Sequence, residues 1–259
     1  MITLTTDFGL KDPYVAEIKG AILTVNPKAT LIDVTHDVEQ FNVREAAFTL
    51  VSAAPYFPEG TVHLCVVDPG VGTNRRAIAV QTKKAFFVGP DNGVLVLAAK
   101  TQSIQHTYLL ENPKYMLPSV SNTFHGRDIF APAAAYLDVG VRPADFGAEI
   151  HDPISPQFAP ARFSGGVFHG DVLHVDGFGN VVTNVAEKDV ACEQGGLVNV
   201  EWAGNSIKIP FVKAYGEGKP KAAVALVGSH GFLEIALNQA SAAKKFALKV
   251  GDKIKVTLV

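Results

Sequence analysis

The sequence predicts an α/β fold in two parts. These are an N-terminal layered α/β domain with a mainly parallel sheet (residues 1–155), a linker (residues 156–165), and a smaller all-β domain (residues 166–259). Strand and helix patterns alternate through the first part, which is typical of layered α/β domains. Pro153, Pro156 and Pro160 then interrupt the periodicity, which indicates a linker. Beyond it, short strand patterns separated by Gly and Asp or Asn turns indicate a sandwich or a barrel.

The elements of the N-terminal domain can be assigned in chain order. Predicted helices begin near Asp12, near Asn42, which forms a capping-box pattern with Glu45, and near Asp128, the expected N-cap of the helix that follows it. The predicted strands are Ile2–Thr6, Leu31–Val34, Val62–Val67, Ala77–Gln81 and Ala85–Val88. The third of these strands is continuously apolar, as expected for a strand that is buried on both faces.

Four strand patterns define the C-terminal domain. They are Gly166–Val175, Val198–Trp202, Ala222–Val227 and Lys253–Leu258. Glycine and Asp or Asn turns separate them, which indicates a small all-β domain.

Composition argues against several classes of partner. The chain has 47% hydrophobic and 19% charged residues and a formal charge of −2, which gives no attraction to nucleic acid or acidic membranes. No apolar stretch approaches about 18–20 residues and no signal-peptide pattern is present, so we expect no membrane span. Cys65 lies in an apolar run, and the two cysteines have no metal-binding spacing. We therefore expect reduced thiols, no metal site and a cytoplasmic location.

Two predicted strands end in an aspartate that glycine follows: Asp7 before Gly9, and Asp68 before Gly70. Ligands of open α/β sheets bind beyond the carboxyl ends of strands, and glycine lets the backbone approach them closely. A third loop places His125 before a helix. Each signal alone is equally typical of an ordinary turn or a structural histidine. Glycine-rich phosphate loops and the Gly-x-Ser-x-Gly elbow do not occur, which argues against nucleotide phosphates and serine hydrolysis.

The ordered set of motifs is more specific than any one of them. The motifs are Thr6-Asp7-Phe8-Gly9, Asp33-Val34-Thr35-His36, Val67-Asp68-Pro69-Gly70-Val71-Gly72-Thr73-x-Arg75-Arg76, Gly89-Pro90-Asp91-Asn92-Gly93, Thr123-Phe124-His125-Gly126-Arg127-Asp128, Asp176-Gly177-Phe178-Gly179-Asn180 and Ser229-x-Gly231-x-Leu233-Glu234-Ile235-Ala236. Together they resemble the S-adenosylmethionine hydroxide adenosyltransferase family, whose relatives are fluorinating and chlorinating enzymes that act on the same substrate. The resemblance extends over nearly the whole chain.

The resemblance implies a fold, a reaction and an assembly. The fold is an N-terminal α/β domain followed by a C-terminal β-barrel-like domain. The reaction is hydrolysis of S-adenosyl-L-methionine to adenosine and L-methionine, with water or hydroxide attacking ribose C5′. A sulfonium departs as a neutral thioether, so we expect an in-line SN2 displacement without a cofactor, S-adenosyl-L-methionine being the substrate. The assembly is a homotrimer with sites between the N-terminal domain of one subunit and the C-terminal domain of the next.

The resemblance also implies roles for single residues. Asp7 matches the aspartate that binds both ribose hydroxyls, and a carboxylate can accept both hydrogen bonds of a cis-diol. Three residues match those that hold and activate the attacking water: Asp68, Arg75 and His125. The other matches concern substrate binding: Asn180 at the adenine edge with Phe178 near it, Asp176 at the methionine ammonium group, Ser229 at the methionine carboxylate, and Phe41 near the ribose or the sulfonium.

Three assignments stay open on the sequence alone. Arg76 is the alternative to Arg75 as the working arginine, which would make Arg75 a solvated surface charge. The base is either Asp68 or His125. The motif from Asp176 to Asn180 is also typical of a simple hairpin turn.

Competing functions differ from hydrolysis in the product they release. A halide-dependent adenosyl transfer is disfavoured because His230 and Gly126 stand where the halogenating relatives carry arginine and serine. The charge of Asp68 also repels a halide in a desolvated pocket. A non-catalytic module that binds adenosine or S-adenosylmethionine is the other candidate. A methyltransferase is disfavoured because no glycine-rich loop follows the first strand.

Overall fold

The structure, a computed structural model, describes residues 1–155 and 161–259, which form two compact units on either side of the gap. Of the predicted linker, residues 156–160 lie outside the described residues, Pro156 and Pro160 included, and Arg162–Ser164 form a strand. The domain limits at residues 155 and 166 stay a prediction. No helix in the described ranges has both the length and the apolar character needed to cross a membrane.

The sheet of the first unit has six strands. They are β1 (Ile2–Thr6), β2 (Leu31–Thr35), β3 (Val62–Val66), β4 (Ala77–Thr82), β5 (Phe86–Pro90) and β6 (Ile104–Leu109). Their order is β2-β1-β3-β5-β4-β6. The pairings of β1 with β2, β1 with β3 and β3 with β5 are parallel, whereas β4 runs antiparallel to β5 and β6. The sheet is therefore mixed, because the short connection between β4 and β5 permits only a hairpin.

Helices cover both faces of this sheet. They are α1 (Tyr14–Val25), α2 (Val43–Ala53), α3 (Val96–Thr101) and α4 (Ala131–Asp138). Leu64 of β3 belongs to the core with α1 and α4, while its neighbour Cys65 belongs to the core with α2 and α3. Successive side chains of a strand point to opposite faces, so β3 is buried on both sides, which confirms the prediction for this apolar run.

The predicted helix starts have different outcomes. Asn42 is confirmed as an N-cap, since its side chain accepts a hydrogen bond from the Glu45 amide at 3.0 Å. The prediction for Asp12 was wrong: α1 begins at Tyr14, and no side chain caps it. The prediction for Asp128 was also wrong, because a π-helical turn over Gly126–Phe130 extends α4 backwards and places Asp128 inside the helix. The Asp128 side chain instead accepts hydrogen bonds from the Ser121 amide and from Arg127 Nε.

The second unit is one antiparallel sheet. Its strands are β7 (Arg162–Ser164), β8 (Val167–Val175), β9 (Val181–Ala186), β10 (Leu197–Trp202), β11 (Asn205–Pro210), β12 (Ala223–Val227), β13 (Phe232–Leu237) and β14 (Lys253–Leu258), and the short helix α5 spans Ala242–Phe246. The order is β11-β10-β14-β8-β9-β13-β12, and β7 pairs with β8. Phe211, directly after β11, bridges to Ala225 of β12, so the two ends of the sheet meet. The expected barrel-like domain is thus confirmed, although the strand patterns did not predict β7, β9, β11 and β13.

Candidate active site

The first unit places two predicted aspartates at one edge of its sheet. Asp7 directly follows β1, and Asp68 follows β3 after one residue. Because β1 and β3 are adjacent and parallel, their carboxyl ends meet at the same edge. A cavity of about 210 Å³ opens there, and Asp7, Phe41, Asp68 and His125 line it.

Asp68, Arg75 and His125 form one connected cluster. Arg75 donates from Nε to Asp68 Oδ1 at 3.1 Å and from Nη2 to Asp68 Oδ2 at 2.5 Å, which is a bidentate ion pair. The same Nη2 lies 3.0 Å from His125 Nδ1. The Arg75 and Asp68 side chains are only 8% and 6% exposed. The structure therefore brings His125 to Asp68 and Arg75, which belong to a distant motif of the sequence.

Arg76 points to different partners. Its Nε donates to Asp91 at 2.7 Å, and its Nη1 donates to Asp152 at 2.8 Å. Neither aspartate lines the cavity of Asp7 and Asp68. Of the two candidate arginines, the structure brings only Arg75 to Asp68 and His125.

The bond from Arg75 fixes the state of the His125 ring. A guanidinium can only donate hydrogen bonds, so Nδ1 of His125 must accept, and the neutral ring carries its proton on Nε2. Burial and the positive charge of Arg75 lower the pKa of His125 below its usual value, and the negative charges of Asp68 and Asp128 oppose that change. His125 is thus a neutral hydrogen-bond donor at pH 7.

Asp7 is held by a backbone in an unusual conformation. The amide of Phe41 donates to Asp7 Oδ2 at 2.8 Å, and Phe41 has φ of 65°, which is rare for an aromatic residue. Strained backbone of this kind is often found at functional sites. Burial raises the pKa of the Asp7 carboxyl; the bond from Phe41 opposes the rise, and the charge of Asp68 adds to it.

An aromatic wall of the cavity was missing from the sequence prediction. Phe8, Tyr14 and Phe124 contact one another edge to face, with ring centroids 5.3–5.9 Å apart, and all three line the cavity. Phe8 and Phe124 are the chain neighbours of Asp7 and His125, a signal that was available in the motifs. Tyr14, the first residue of α1, is 45% exposed. Asp12, wrongly predicted as a cap, also lines the cavity.

The remaining predicted residues lie in the second unit. Asp176, Phe178 and Asn180 form the turn between β8 and β9. Asp176 Oδ1 accepts from the amides of Phe178 and Asn180 at 2.9 and 2.8 Å, and Oδ2 accepts from Asn180 Nδ2 at 2.8 Å. Phe178 is 85% exposed at the turn, and Ser229 is exposed between β12 and β13. The hairpin turn considered from the sequence therefore exists, and Asp176 orients Asn180 within it.

A larger concavity of about 740 Å³ in the second unit contains none of the predicted residues; charged side chains on its wall are Asp171, Glu201, Lys253 and Lys255. Over residues 1–155 and 161–259, no group of three or more His, Cys, Asp or Glu side chains is arranged to hold a metal ion.

Comparison with known proteins identifies the family. Residues 2–147 match the model of the SAM hydroxide adenosyltransferase N-terminal domain, and residues 170–255 match that of the C-terminal domain. The chain belongs to the SAM hydroxide adenosyltransferase family. This confirms the resemblance inferred from the ordered motifs.

Members and relatives of the family resemble the chain over nearly its full length. An "(R)-S-adenosyl-L-methionine hydrolase" from Thermus thermophilus is 40% identical over 97% of both chains, and one from Methanocaldococcus jannaschii is 33% identical over 99% of this chain and 95% of its own. A "Fluorinase" from Actinoplanes sp. is 28% identical over 99% and 97%. A crystal structure of an uncharacterized conserved protein from Thermotoga maritima superposes with a TM-score of 0.94, at 38% identity and 99% and 100% coverage.

Proposed function

We propose that this chain hydrolyses S-adenosyl-L-methionine to adenosine and L-methionine, by SN2 attack of water on ribose C5′. The single observation that best supports this is the cluster of Asp68, Arg75 and His125 at a cavity that Asp7 also lines. A diol-binding carboxylate and a water-binding group in one cavity are what attack on a ribose carbon requires. Family membership, with hydrolases at 33–40% identity, points the same way.

In the proposed mechanism, the protein has to activate the nucleophile and not the leaving group. The sulfonium leaves as a neutral thioether, so no acid has to protonate the leaving group. The attacking oxygen must lie about 3–3.5 Å from C5′ and opposite sulfur. Positioning of one water molecule and removal of its proton are therefore the tasks of the protein, and no metal or cofactor is needed for them.

We assign the proton acceptor to Asp68. Nδ1 of His125 is already occupied by Arg75, so the neutral ring offers Nε2–H to the water oxygen as a donor. Asp68 is an anion that keeps free lone pairs beside its bonds to Arg75. As the C5′–O bond forms and the C5′–S bond breaks, the proton of the water passes to Asp68, and the electron pair leaves with methionine.

For substrate binding, we propose the roles that the family resemblance implies for single residues. Asp7 binds the ribose hydroxyls, and Asn180 and Phe178 bind the adenine. Asp176 binds the methionine ammonium group, and Ser229 binds the methionine carboxylate. The turn geometry supports a role for Asn180, because its backbone N–H and its side-chain Nδ2 both donate to the Asp176 carboxylate. Phe41 contributes its backbone amide to Asp7 and an exposed ring at the cavity. The homotrimer with sites between subunits and the cytoplasmic location remain proposals of the same kind.

The substrate is further proposed to be the (R)-sulfonium epimer, since the hydrolases named above carry that epimer in their names. Chromatography of a mixture of the two epimers should show loss of the (R) form well before the (S) form. Equal rates for both epimers would reject this specificity and leave the hydrolysis itself standing.

The decisive test of the reaction is incubation with S-adenosyl-L-methionine in ¹⁸O-labelled water. We expect the label on the 5′-hydroxyl of adenosine. Parallel reactions with chloride or fluoride test halide transfer, which would give a 5′-halo-5′-deoxyadenosine. S-adenosylhomocysteine would indicate methyl transfer, and intact bound substrate would indicate a binding module. The Asp68→Asn variant, which keeps the shape of the side chain, should release almost no adenosine.

A further inference from the structure

The loop that ends at His125 is held in place by Asp128, an acidic residue outside the cluster of Asp68, Arg75 and His125. Residues 116–124 form this loop, which lies between a 3₁₀ turn at Pro113–Tyr115 and the π-helical turn at Gly126–Phe130. Asp128 lies within the π-helical turn and is fully buried. The sequence predicts Asp128 only as a helix cap, without a part in the chemistry.

Asp128 ties the loop to the turn at several points. Its Oδ2 accepts from the Ser121 amide at 2.8 Å, and its backbone oxygen accepts from the Leu117 amide at 2.9 Å. Its Oδ1 accepts from Arg127 Nε at 2.7 Å. Ser121, held in this way, accepts from the Phe124 amide through Oγ at 3.0 Å. The chain is thus bonded on both sides of the segment that leads into His125.

The loop also presses against the segment that carries the other two members of the cluster. A Cβ on Gly72 would lie 2.2 Å from the backbone oxygen of Asn122, and Gly72 has φ of +75°. Only glycine fits this close approach without displacing the loop. At the end of the same loop, the Arg127 guanidinium lies 5.0 Å from the centroid of the Phe124 ring. The loop therefore has little freedom to move away from Asp68 and Arg75.

We propose that Asp128 is a positioning residue for the hydrolysis: by bonding Ser121 and Leu117 to the turn after His125, it holds the His125 ring against Arg75 and the Phe124 ring in the cavity wall. This rests on the proposed function. A π-helical turn at such a point fits the tendency of π-bulges to occur at functional sites. Asp128 is not among the residues that line the cavity, so we place its effect in the orientation of His125.

The primary test is Asp128→Asn, which keeps the shape but removes one acceptor oxygen and adds a donor. We expect kcat to fall by roughly 10–100-fold, as for a small displacement of a catalytic group, with KM changed far less. Asp145→Asn is the matched control, because Asp145 pairs with Arg142 at 2.7 Å outside this network. Its kcat should equal that of the unchanged enzyme.

A titration of His125 by NMR separates positioning from other effects. Arg75, Asp68 and Asp128 are the charged groups that influence this ring. Loss of the Asp128 charge alone would lower the pKa of His125, whereas release of the ring from burial and from Arg75 would raise it towards its usual value. Positioning therefore predicts a rise in the variant. A fall or no change, in a folded Asp128→Asn protein, would overturn the proposal.

A second variant covers the possibility that Asp128→Asn does not fold. Ser121→Ala removes the acceptor for the Phe124 amide and the hydroxyl that also bonds the Asp128 carboxylate, and it lies in a partly exposed loop. It should lower kcat by a few-fold and raise the pKa of His125 in the same direction; if neither changes, the proposal is wrong. The titration does not need turnover, so the proposed hydrolysis can fail in the product assay while the positioning of His125 is still measured.

Discussion

The planar guanidinium of Arg75 bonds to both Asp68 and His125, the two residues that are proposed to bind and deprotonate the attacking water. Three of its N–H donors are used in this cluster, two from Nε and Nη2 to Asp68 and one from Nη2 to His125. A lysine keeps the charge but has a single nitrogen on a flexible stem, so it cannot hold both partners in fixed geometry. We expect Arg75→Lys to lower kcat by roughly 100-fold, measured as adenosine release at saturating substrate.

Arg76→Lys is the matched control for that experiment. Arg76 bonds to Asp91, whose side chain is fully buried, and to Asp152. Its loss should lower the midpoint of thermal unfolding while turnover stays close to that of the unchanged enzyme. If turnover depended on Arg76 and survived Arg75→Lys, the choice between the two arginines made from the geometry would be reversed.

The acid limb of the pH profile follows from the state of His125. Protonation would place a proton on Nδ1, break the bond from Arg75 and bring two positive charges together. Since burial and Arg75 lower the pKa of His125, the active neutral form persists to a pH below about 6.5, the ordinary value. We expect kcat to fall only below that pH, and His125→Ala to lower kcat more than it raises KM. An acid limb centred above 6.5, or unchanged turnover in His125→Ala, would contradict the assignment.

At the level of elements, β3 carries a buried histidine that makes the fold sensitive to acid. His63 Nδ1 lies 2.8 Å from Thr3 Oγ1 on β1, and its ring stacks on Phe87 of β5 with centroids 4.9 Å apart. Burial lowers the pKa of His63 to about 4. The unfolded chain therefore binds this proton more readily, and stability is lost as the pH falls from about 6.5 to about 4.

The loss from this one group should reach about 3 kcal/mol below pH 4, at 1.36 kcal/mol for each unit of pKa. Urea unfolding at pH 7 and at pH 4.5 measures it. His63→Gln should show a smaller difference between the two pH values than the unchanged protein. His106→Gln, at a histidine that is 48% exposed, is the control and should keep the full difference.

The elements also show where local sequence signals were sufficient. The capping pattern of Asn42 and the doubly buried run of β3 depend on near neighbours and on a single strand, and both predictions were confirmed. Asp12 and Asp128 look like caps, yet one lines the cavity and the other bonds to Ser121. Closure of the second sheet depends on contact between Phe211 and Ala225, which no local pattern encodes. Strand pairing is set by such distant contacts.

In the candidate site, too, local sequence predicts some features, while others depend on the three-dimensional structure. Asp7, Asp68 and His125 were proposed because they follow strands or precede a helix, and the topology brings these positions to one edge. The choice of Arg75 over Arg76 needed coordinates, since adjacent residues differ only in the direction of their side chains. Tyr14 belongs to none of the sequence motifs; it is the first residue of α1, and its contact with Phe124 at the cavity is visible only in the structure.

At the scale of the whole molecule, the proposed site residues divide between two compact units. Asp7, Phe41, Asp68, Arg75 and His125 lie in the first unit, and Asp176, Phe178, Asn180 and Ser229 in the second. If substrate binds between the first unit of one subunit and the second unit of its neighbour, then each site needs two chains. A heterologous ring with such shared sites makes a quantitative prediction about mixed assemblies.

Subunits with defects in different units should complement each other. Chains carrying Asp68→Asn and chains carrying Asn180→Ala each release little adenosine alone, because every site has one defect. In co-expressed, randomly mixed rings, about a quarter of the sites combine an intact first unit with an intact second unit, so about a quarter of the activity should return. Mixing Asp68→Asn with His125→Ala is the control and should stay inactive, since both changes lie in the first unit. Continued inactivity of the first mixture, in rings shown by two affinity tags to contain both chains, would place each site within one chain.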